Sequence, residues 1–102
     1  MSRKAKGFFL GLALLIGLSG CYQAFPTSSA VLQSTYTYNQ FIIFSSSARD
    51  FTWYFDGALL TDQTTNSYRY FAYNSDIGEH TIKVAFNDGG IATEKTWAVT
   101  VH

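Results

Sequence analysis

The stretch Phe51-Thr52-Trp53-Tyr54-Phe55-Asp56-Gly57 divides its side chains into two alternating sets. A period of two is that of a β-strand, so Phe51, Trp53 and Phe55 share one face and Tyr54 points to the other. The Asp-Gly pair at the end of the stretch is a strong signal for a tight hairpin turn. We therefore predict a strand with three large aromatic side chains in the core, followed by a turn and a further strand.

The clearest alternation in the chain runs from Gly78 to Phe86. Large side chains occupy the even-numbered positions from His80 to Phe86, whereas Thr81 and Lys83 between them are polar, so one face is predicted to point inward. The two glycines of Asn87-Asp88-Gly89-Gly90 permit a second hairpin turn, which leads into a last strand from about residue 92 to residue 101. The predicted core residues are Phe51, Trp53, Phe55, His80, Ile82, Val84, Phe86, Trp97, Val99 and Val101.

The rest of the chain after residue 21 has the same character, with short β-prone runs separated by turn signals. Phe41-Ile42-Ile43-Phe44 is a dense apolar strand, which indicates that both of its faces are covered or that one face covers a neighbouring element. No long amphipathic helix follows residue 21. About seven short strands predict an all-β fold, an antiparallel β-sandwich.

Several of these segments together resemble bacterial immunoglobulin-like domains of the PKD type. They are Trp53-Tyr54-Phe55-Asp56-Gly57, Gly78-Glu79-His80-Thr81-Ile82, Asp88-Gly89 and Trp97-Ala98-Val99-Thr100-Val101. The resemblance covers about residues 30–102 and implies an immunoglobulin-like sandwich with Trp53 in its core. The family has a second Gly-Asp-Gly-like turn, which is missing here.

Residues 1–20 have the organisation of a secretory signal peptide. Arg3, Lys4 and Lys6 form a positive segment, and an apolar run of 11 residues extends from Phe8 to Leu18. A helix that crosses a bilayer needs roughly 20 apolar residues, so this run is short for a permanent membrane anchor, which is the alternative. We predict a helical signal peptide over residues 1–20.

The end of the apolar run, Leu18-Ser19-Gly20-Cys21, resembles the lipobox of bacterial lipoproteins. The resemblance implies cleavage between Gly20 and Cys21, a diacylglyceryl group on the Cys21 thiol and a fatty acyl group on the new amine. A chance cysteine after an ordinary signal peptide is the alternative. Cys21 is the only cysteine of the chain, so an intrachain disulfide is excluded.

Lipidation would place the protein in the cell envelope, anchored to a membrane by its acyl chains. By the same resemblance, Tyr22 after the cysteine favours the outer membrane in a host that has one. Residues 21–30 are predicted to be a tether and residues 31–102 the sandwich. From Cys21 onward, four basic residues stand against seven acidic ones, a net charge of −3. This balance argues against nucleic acid as a partner and against electrostatic binding of the domain to an anionic membrane.

The sequence shows no catalytic motif, such as G-x-S-x-G or a glycine-rich phosphate loop, so we expect a protein that is not an enzyme. His80 is interpreted as a packed, hydrogen-bonded residue, because no metal-binding residue lies at ligand spacing beside it. No metal or other cofactor is predicted. Calcium is the open alternative, because four aspartates fall in predicted loops, where ordinary turn aspartates explain them equally well. They are Asp56, Asp62, Asp76 and Asp88.

Tyrosine is the remaining functional signal, because the core of so small a domain cannot hold every tyrosine. Exposed tyrosines stack on sugars or anchor protein interfaces, although cross-strand pairing within a sheet also explains them. The candidate binding surface comprises Tyr36, Tyr38, Tyr54, Tyr70 and Tyr73. The leading hypothesis is a lipid-anchored module that binds an envelope protein. A carbohydrate-binding module and a structural component of an envelope assembly are the alternatives.

Overall fold

The computed structural model describes residues 22–34 and 37–102. The predicted signal-peptide helix, the acylation and cleavage positions Gly20 and Cys21, and Tyr36 lie outside these residues. The described part forms eight strands and one short 3₁₀ helix at Asn74–Asp76. The strands are β1 (Gln23–Phe25), β2 (Ala30–Leu32), β3 (Tyr38–Phe44), β4 (Ala48–Phe55), β5 (Ala58–Leu60), β6 (Ser67–Phe71), β7 (Gly78–Asp88) and β8 (Ile91–Val101).

The strands make two sheets. The three-stranded sheet has the order β1-β3-β6, and the five-stranded sheet has the order β2-β8-β7-β4-β5. All pairs are antiparallel except β2 and β8, which run parallel, so the prediction of a purely antiparallel fold is wrong at this edge. Residues 30–32 and 99–101 run in the same direction because the chain reaches β2 from β1 in the opposite sheet, and no hairpin connects β2 to β8.

Aromatic side chains from both sheets meet in the core. Trp53 of β4 stacks on Trp97 of β8 with the ring centroids 5.9 Å apart and the planes at 4°. From the other sheet, Phe41 packs edge-on against Trp97 at 5.1 Å, and Tyr68 packs against Trp53 at 5.8 Å. A buried aromatic side chain removes about 150–250 Å² from water, which stabilises by about 4–6 kcal/mol at about 25 cal/mol per Å² as an upper estimate. The structure is therefore an all-β fold of two sheets that enclose one apolar core.

Seven of the ten predicted core residues are buried, and the other three are half-buried at the rim of the core. The three are Phe51, Phe55 and His80. The β4–β5 hairpin turns at Asp56 and Gly57, which both have positive φ angles, 50° and 84°. Type I′ hairpins require this geometry, and the Asp-Gly sequence supplies it at low cost.

The N-terminal end of the described chain differs from the prediction. Residues 21–30 were predicted to be a tether, but β1 lies within them and pairs with β3, Gln23 opposite Phe44. Tyr22 also packs edge-on against Phe86 at 5.2 Å, and the Trp97 Nε1–H donates to the Pro26 carbonyl oxygen over 2.6 Å. The prediction of a tether is therefore wrong, because this segment completes the three-stranded sheet and satisfies a buried indole.

Candidate functional site

The predicted tyrosine surface does not exist as one surface. Tyr38 lies on the outer face of the three-stranded sheet, Tyr54 on the outer face of the five-stranded sheet, and Tyr73 is exposed after β6. Tyr70 is only 6% exposed, and its ring stacks on Phe55 at 5.0 Å. Tyr70 was predicted to be exposed; this is wrong, because its side of β6 faces the opposite sheet. Burial raises the pKa of Tyr70, and the nearby Asp76 carboxylate raises it further.

The outer face of the three-stranded sheet gathers four of the nine large hydrophobic side chains that are exposed in the described residues. Buried Phe41 and Ile43 alternate along β3 with outward-facing residues, and the register places outward residues of β1 and β6 beside them. Four of these side chains are between 40% and 55% exposed. We call this surface the aromatic face; it comprises Phe25, Tyr38, Ile42, Phe44 and Phe71.

The aromatic face is nearly free of charge. Strands β1, β3 and β6 contain one charged residue, Arg69, and no acidic residue. The Arg69 guanidinium lies 5.1 Å from the centroid of the Tyr38 ring, and Tyr38 packs against Phe71 at 5.2 Å. A cation–π contact of this kind attracts the guanidinium to the face of the Tyr38 ring. The sequence signal for this face was the run Phe41–Phe44, whose unbroken apolar character reflects one buried and one exposed apolar face.

A smaller surface lies at the opposite side of the molecule, which we call the Tyr54 patch: Tyr54, Leu59 and Lys83. These three residues are neighbours across β4, β5 and β7 in the five-stranded sheet. The Lys83 Nζ lies 4.7 Å from the centre of the Tyr54 ring and 3.9 Å from the Glu94 Oε2. Leu59 is 55% exposed on β5, the edge strand. An open cavity of about 320 Å³ adjoins it, lined by Leu59, Leu60, Thr61, Asp62, Gln63 and Tyr68.

His80 is held at both ring nitrogens. Its Nδ1 lies 2.7 Å from the Asp56 Oδ2, and its Nε2 lies 2.6 Å from the Asp76 carbonyl oxygen. The Thr81 N–H donates to the Asp56 Oδ1 over 2.8 Å. The hydrogen bond with Asp56 raises the pKa of His80 against the opposing effect of burial. Burial alone would raise the pKa of Asp56, but the bonds from His80 and Thr81 outweigh it and lower that pKa. This cluster links the β4–β5 turn to the 3₁₀ helix through both ring nitrogens of His80.

Asp88 is a buried carboxylate, 1% exposed, at the end of β7. It was predicted to lie in a loop; the strand instead continues through it, because its pairing partner Ile91 extends β8 by one residue. The hydroxyls of Ser45 and Ser47 donate to its Oδ1 over 2.8 Å and 2.6 Å. These bonds tie the β3–β4 connection to the β7–β8 hairpin.

The four aspartates considered for calcium do not gather into one site. Asp56 bonds His80, Asp88 bonds two serines, and the Asp76 carboxylate accepts a bond from the Tyr73 N–H. Within residues 22–34 and 37–102, no three His, Cys, Asp or Glu side chains gather closely enough to hold a metal ion. In the same residues, no helix has both the length and the apolar character needed to cross a bilayer.

Comparisons with known proteins add no identification, because no protein-family model, curated protein or solved structure matches the chain. The features of this chain that bear on its function are the lipobox-like sequence and the two exposed surfaces.

Proposed function

We propose that this protein is a lipid-anchored, non-enzymatic module of the bacterial cell envelope that binds another protein. The Leu18-Ser19-Gly20-Cys21 sequence supports the anchor: a diacylglyceryl group on the Cys21 thiol and a fatty acyl group on its amine. Two or more acyl chains give stable membrane attachment, since each buried CH₂ contributes about 0.8 kcal/mol. The residue after the cysteine, Tyr22, supports the outer membrane in a host with two membranes.

We further propose that the sandwich is immunoglobulin-like. In such domains, two sheets pack face to face, and a buried tryptophan lies on the third strand of the conserved set. Three features support this assignment: the separation into β1-β3-β6 and β8-β7-β4 sheets, the short β5 beside β4, and the fully buried Trp53 on β4. Strands β1 and β2 fit the two segments of a single first strand, of which β1 joins one sheet and β2 joins the other, parallel to β8.

The main support for protein binding is the exposure of Leu59 on the edge strand β5, where it lies beside Tyr54 and next to an open cavity. An edge strand offers backbone donors and acceptors to an added strand of a partner. Tyrosine is among the side chains that most often anchor protein interfaces, and Leu59 adds exposed apolar area beside Tyr54. The Tyr54 patch therefore combines both elements of such an interface.

Carbohydrate binding is the second candidate, favoured by the outward Tyr54 ring. Sugar rings stack on an open aromatic face, but the Lys83 ammonium already lies 4.7 Å from the centre of this ring. A sugar would use the other face of the ring or displace the lysine. For this reason we rank protein binding first.

The test combines two measurements on protein from the membranes of the native host. The intact mass is expected to match residues 21–102 plus acyl chains, and to lose the acyl mass in Cys21→Ser. A photo-crosslinking residue in place of Leu59 is expected to capture one defined envelope protein, whereas the same residue in place of the exposed Ala92, on the same outer face but at the far end of β8, is not. Equal crosslinking at both positions would refute the Tyr54 patch as the interface. A Tyr54→Ala variant that loses retention on polysaccharide instead would favour the second candidate.

A further inference from the structure

Only one residue, Tyr22, separates Cys21 from the first strand of the sandwich. Cys21 is followed by Tyr22 and then directly by β1, which pairs with β3 and is part of the three-stranded sheet. Two residues of extended chain span at most about 7 Å. Once Cys21 is acylated, as proposed above, the start of β1 must therefore lie at the membrane surface.

We propose that the aromatic face lies flat against the lipid headgroup region of the membrane that holds the Cys21 acyl chains. Gln23 and Phe25 of β1 point to this face, so the strand that leaves the anchor is itself part of it. The proposal rests on the acylation of Cys21. It adds a second, non-covalent attachment that fixes the orientation of the domain.

The chemistry of the aromatic face fits the interface of a bilayer. Aromatic rings are favoured at the level of the headgroups, where one part of the ring meets lipid and another meets water. Phe25 and Phe44 are the exposed rings nearest the anchor, and Tyr38 and Phe71 lie at the far end of β3. The seven residues of β3 span about 20 Å, so the face makes contact well beyond the anchor point.

The distribution of charge also favours the aromatic face as the side of the domain that contacts the membrane. All seven acidic residues of the chain lie outside β1, β3 and β6. An anionic membrane would repel the other sides of the domain, whereas the aromatic face presents only Arg69, whose guanidinium suits a lipid phosphate. The expectation that the domain does not bind lipid through its net charge is compatible with this contact, because the contact is apolar and aromatic.

The orientation also leaves the proposed partner surface free. The two sheets of a sandwich lie about 10 Å apart, so the five-stranded sheet would face away from the bilayer. Tyr54 and Leu59 would then be open to a protein in the space beside the membrane.

The test uses a single added tryptophan as a reporter of lipid contact in the full acylated protein. Phe44→Trp places it on the aromatic face. Ala98→Trp places it at an exposed position of β8 on the opposite face, between the buried Trp97 and Val99. Trp53 and Trp97 are buried and give the same background in both variants. Each variant is reconstituted into phosphatidylethanolamine–phosphatidylglycerol vesicles with or without bromine on the acyl chains.

The expected result is strong quenching of the added Phe44→Trp emission by brominated lipid and none for Ala98→Trp. A further Phe25→Ser change in the Phe44→Trp variant is expected to reduce the quenching, because it removes a neighbouring ring from the contact. Equal, negligible quenching in both variants, with an acylated mass, would overturn the proposal while the lipid anchor stands. Shielding of Phe44→Trp from aqueous acrylamide that rises with protein density, without quenching by lipid, would show a second copy on the face and also overturn it.

Intact mass separates this proposal from the one on which it rests. Quenching of Phe44→Trp in a protein whose mass carries no acyl chains would support contact of the aromatic face with lipid and refute the anchor. Quenching together with the acylated mass supports both.

Discussion

Replacing Trp53 by phenylalanine tests the placement of the core with a change small enough to leave the domain folded. The substitution removes two ring carbons and the Nε1–H, which donates to the Thr65 carbonyl oxygen over 2.8 Å. Two buried carbons are worth about 1.6 kcal/mol at about 0.8 kcal/mol each. A hydrogen bond adds about 0.5–1.5 kcal/mol. We therefore expect Trp53→Phe to lower the free energy of unfolding by about 2–3 kcal/mol.

The assay is urea denaturation of residues 22–102, a segment that includes all strands and core residues that the structure describes. Far-UV circular dichroism follows the strands without relying on tryptophan emission. Tyr54→Phe is the matched control, since it changes the adjacent residue on the outward side of β4, and surface substitutions usually stay within about 0.5 kcal/mol. Trp53→Ala should cost about 3–5 kcal/mol. If Trp53→Phe and Tyr54→Phe lost the same stability, the packing of Trp53 against Trp97 would be refuted.

Three further predictions concern the polar clusters and the buried tyrosine. Because the folded state raises the pKa of His80, its stabilising bond to Asp56 is complete below the unfolded value of 6.5 and is lost as the pH rises through the folded value. Asp56→Asn should therefore flatten the decline of the urea midpoint above neutral pH. An unchanged pH profile would exclude the His80–Asp56 pair as the source of that decline. In acid, the pKa of Asp56 is lowered in the folded state, so the stability that Asp56 contributes is lost only below pH 3.8. Asp88→Ala should cost about 1–3 kcal/mol in the same assay, because two serine hydroxyls lose their shared acceptor, whereas the exposed Asp62→Ala should be near neutral. Tyr70→Ala should lower the free energy of unfolding by about 3–5 kcal/mol, as for other large aromatic core residues. A loss under about 1 kcal/mol would show that Tyr70 is not buried in the core.

The sequence predicted the parts of the fold that depend on local pattern. The alternation around Trp53 and along β7 predicted which faces are buried, because large and polar side chains separate cleanly there. The Asp-Gly and Gly-Gly turns predicted two hairpins, since few other residues tolerate positive φ angles.

The failures have a different physical origin. Tyr70 lies on a strand with large side chains on both faces, so its orientation is decided by the opposite sheet rather than by the pattern. Strand β1 is only three residues long and precedes a proline, and nothing local distinguishes it from coil until β3 pairs with it. The aromatic face was not predicted, because the run Phe41–Phe44 is apolar at every position and does not itself show which alternate set of side chains is exposed.

The parallel pairing of β2 with β8 has a consequence for the order of assembly. Ala30 lies opposite Val99, and the His102 N–H donates to the Leu32 carbonyl oxygen over 2.9 Å. Closing this pair joins segments about 70 residues apart, and such distant closures slow folding. A chain threaded through a membrane from its N-terminus would thus expose both halves of this sheet until β8 emerged. Strand β2, whose one partner in the described sheets is β8, would remain unpaired throughout the passage.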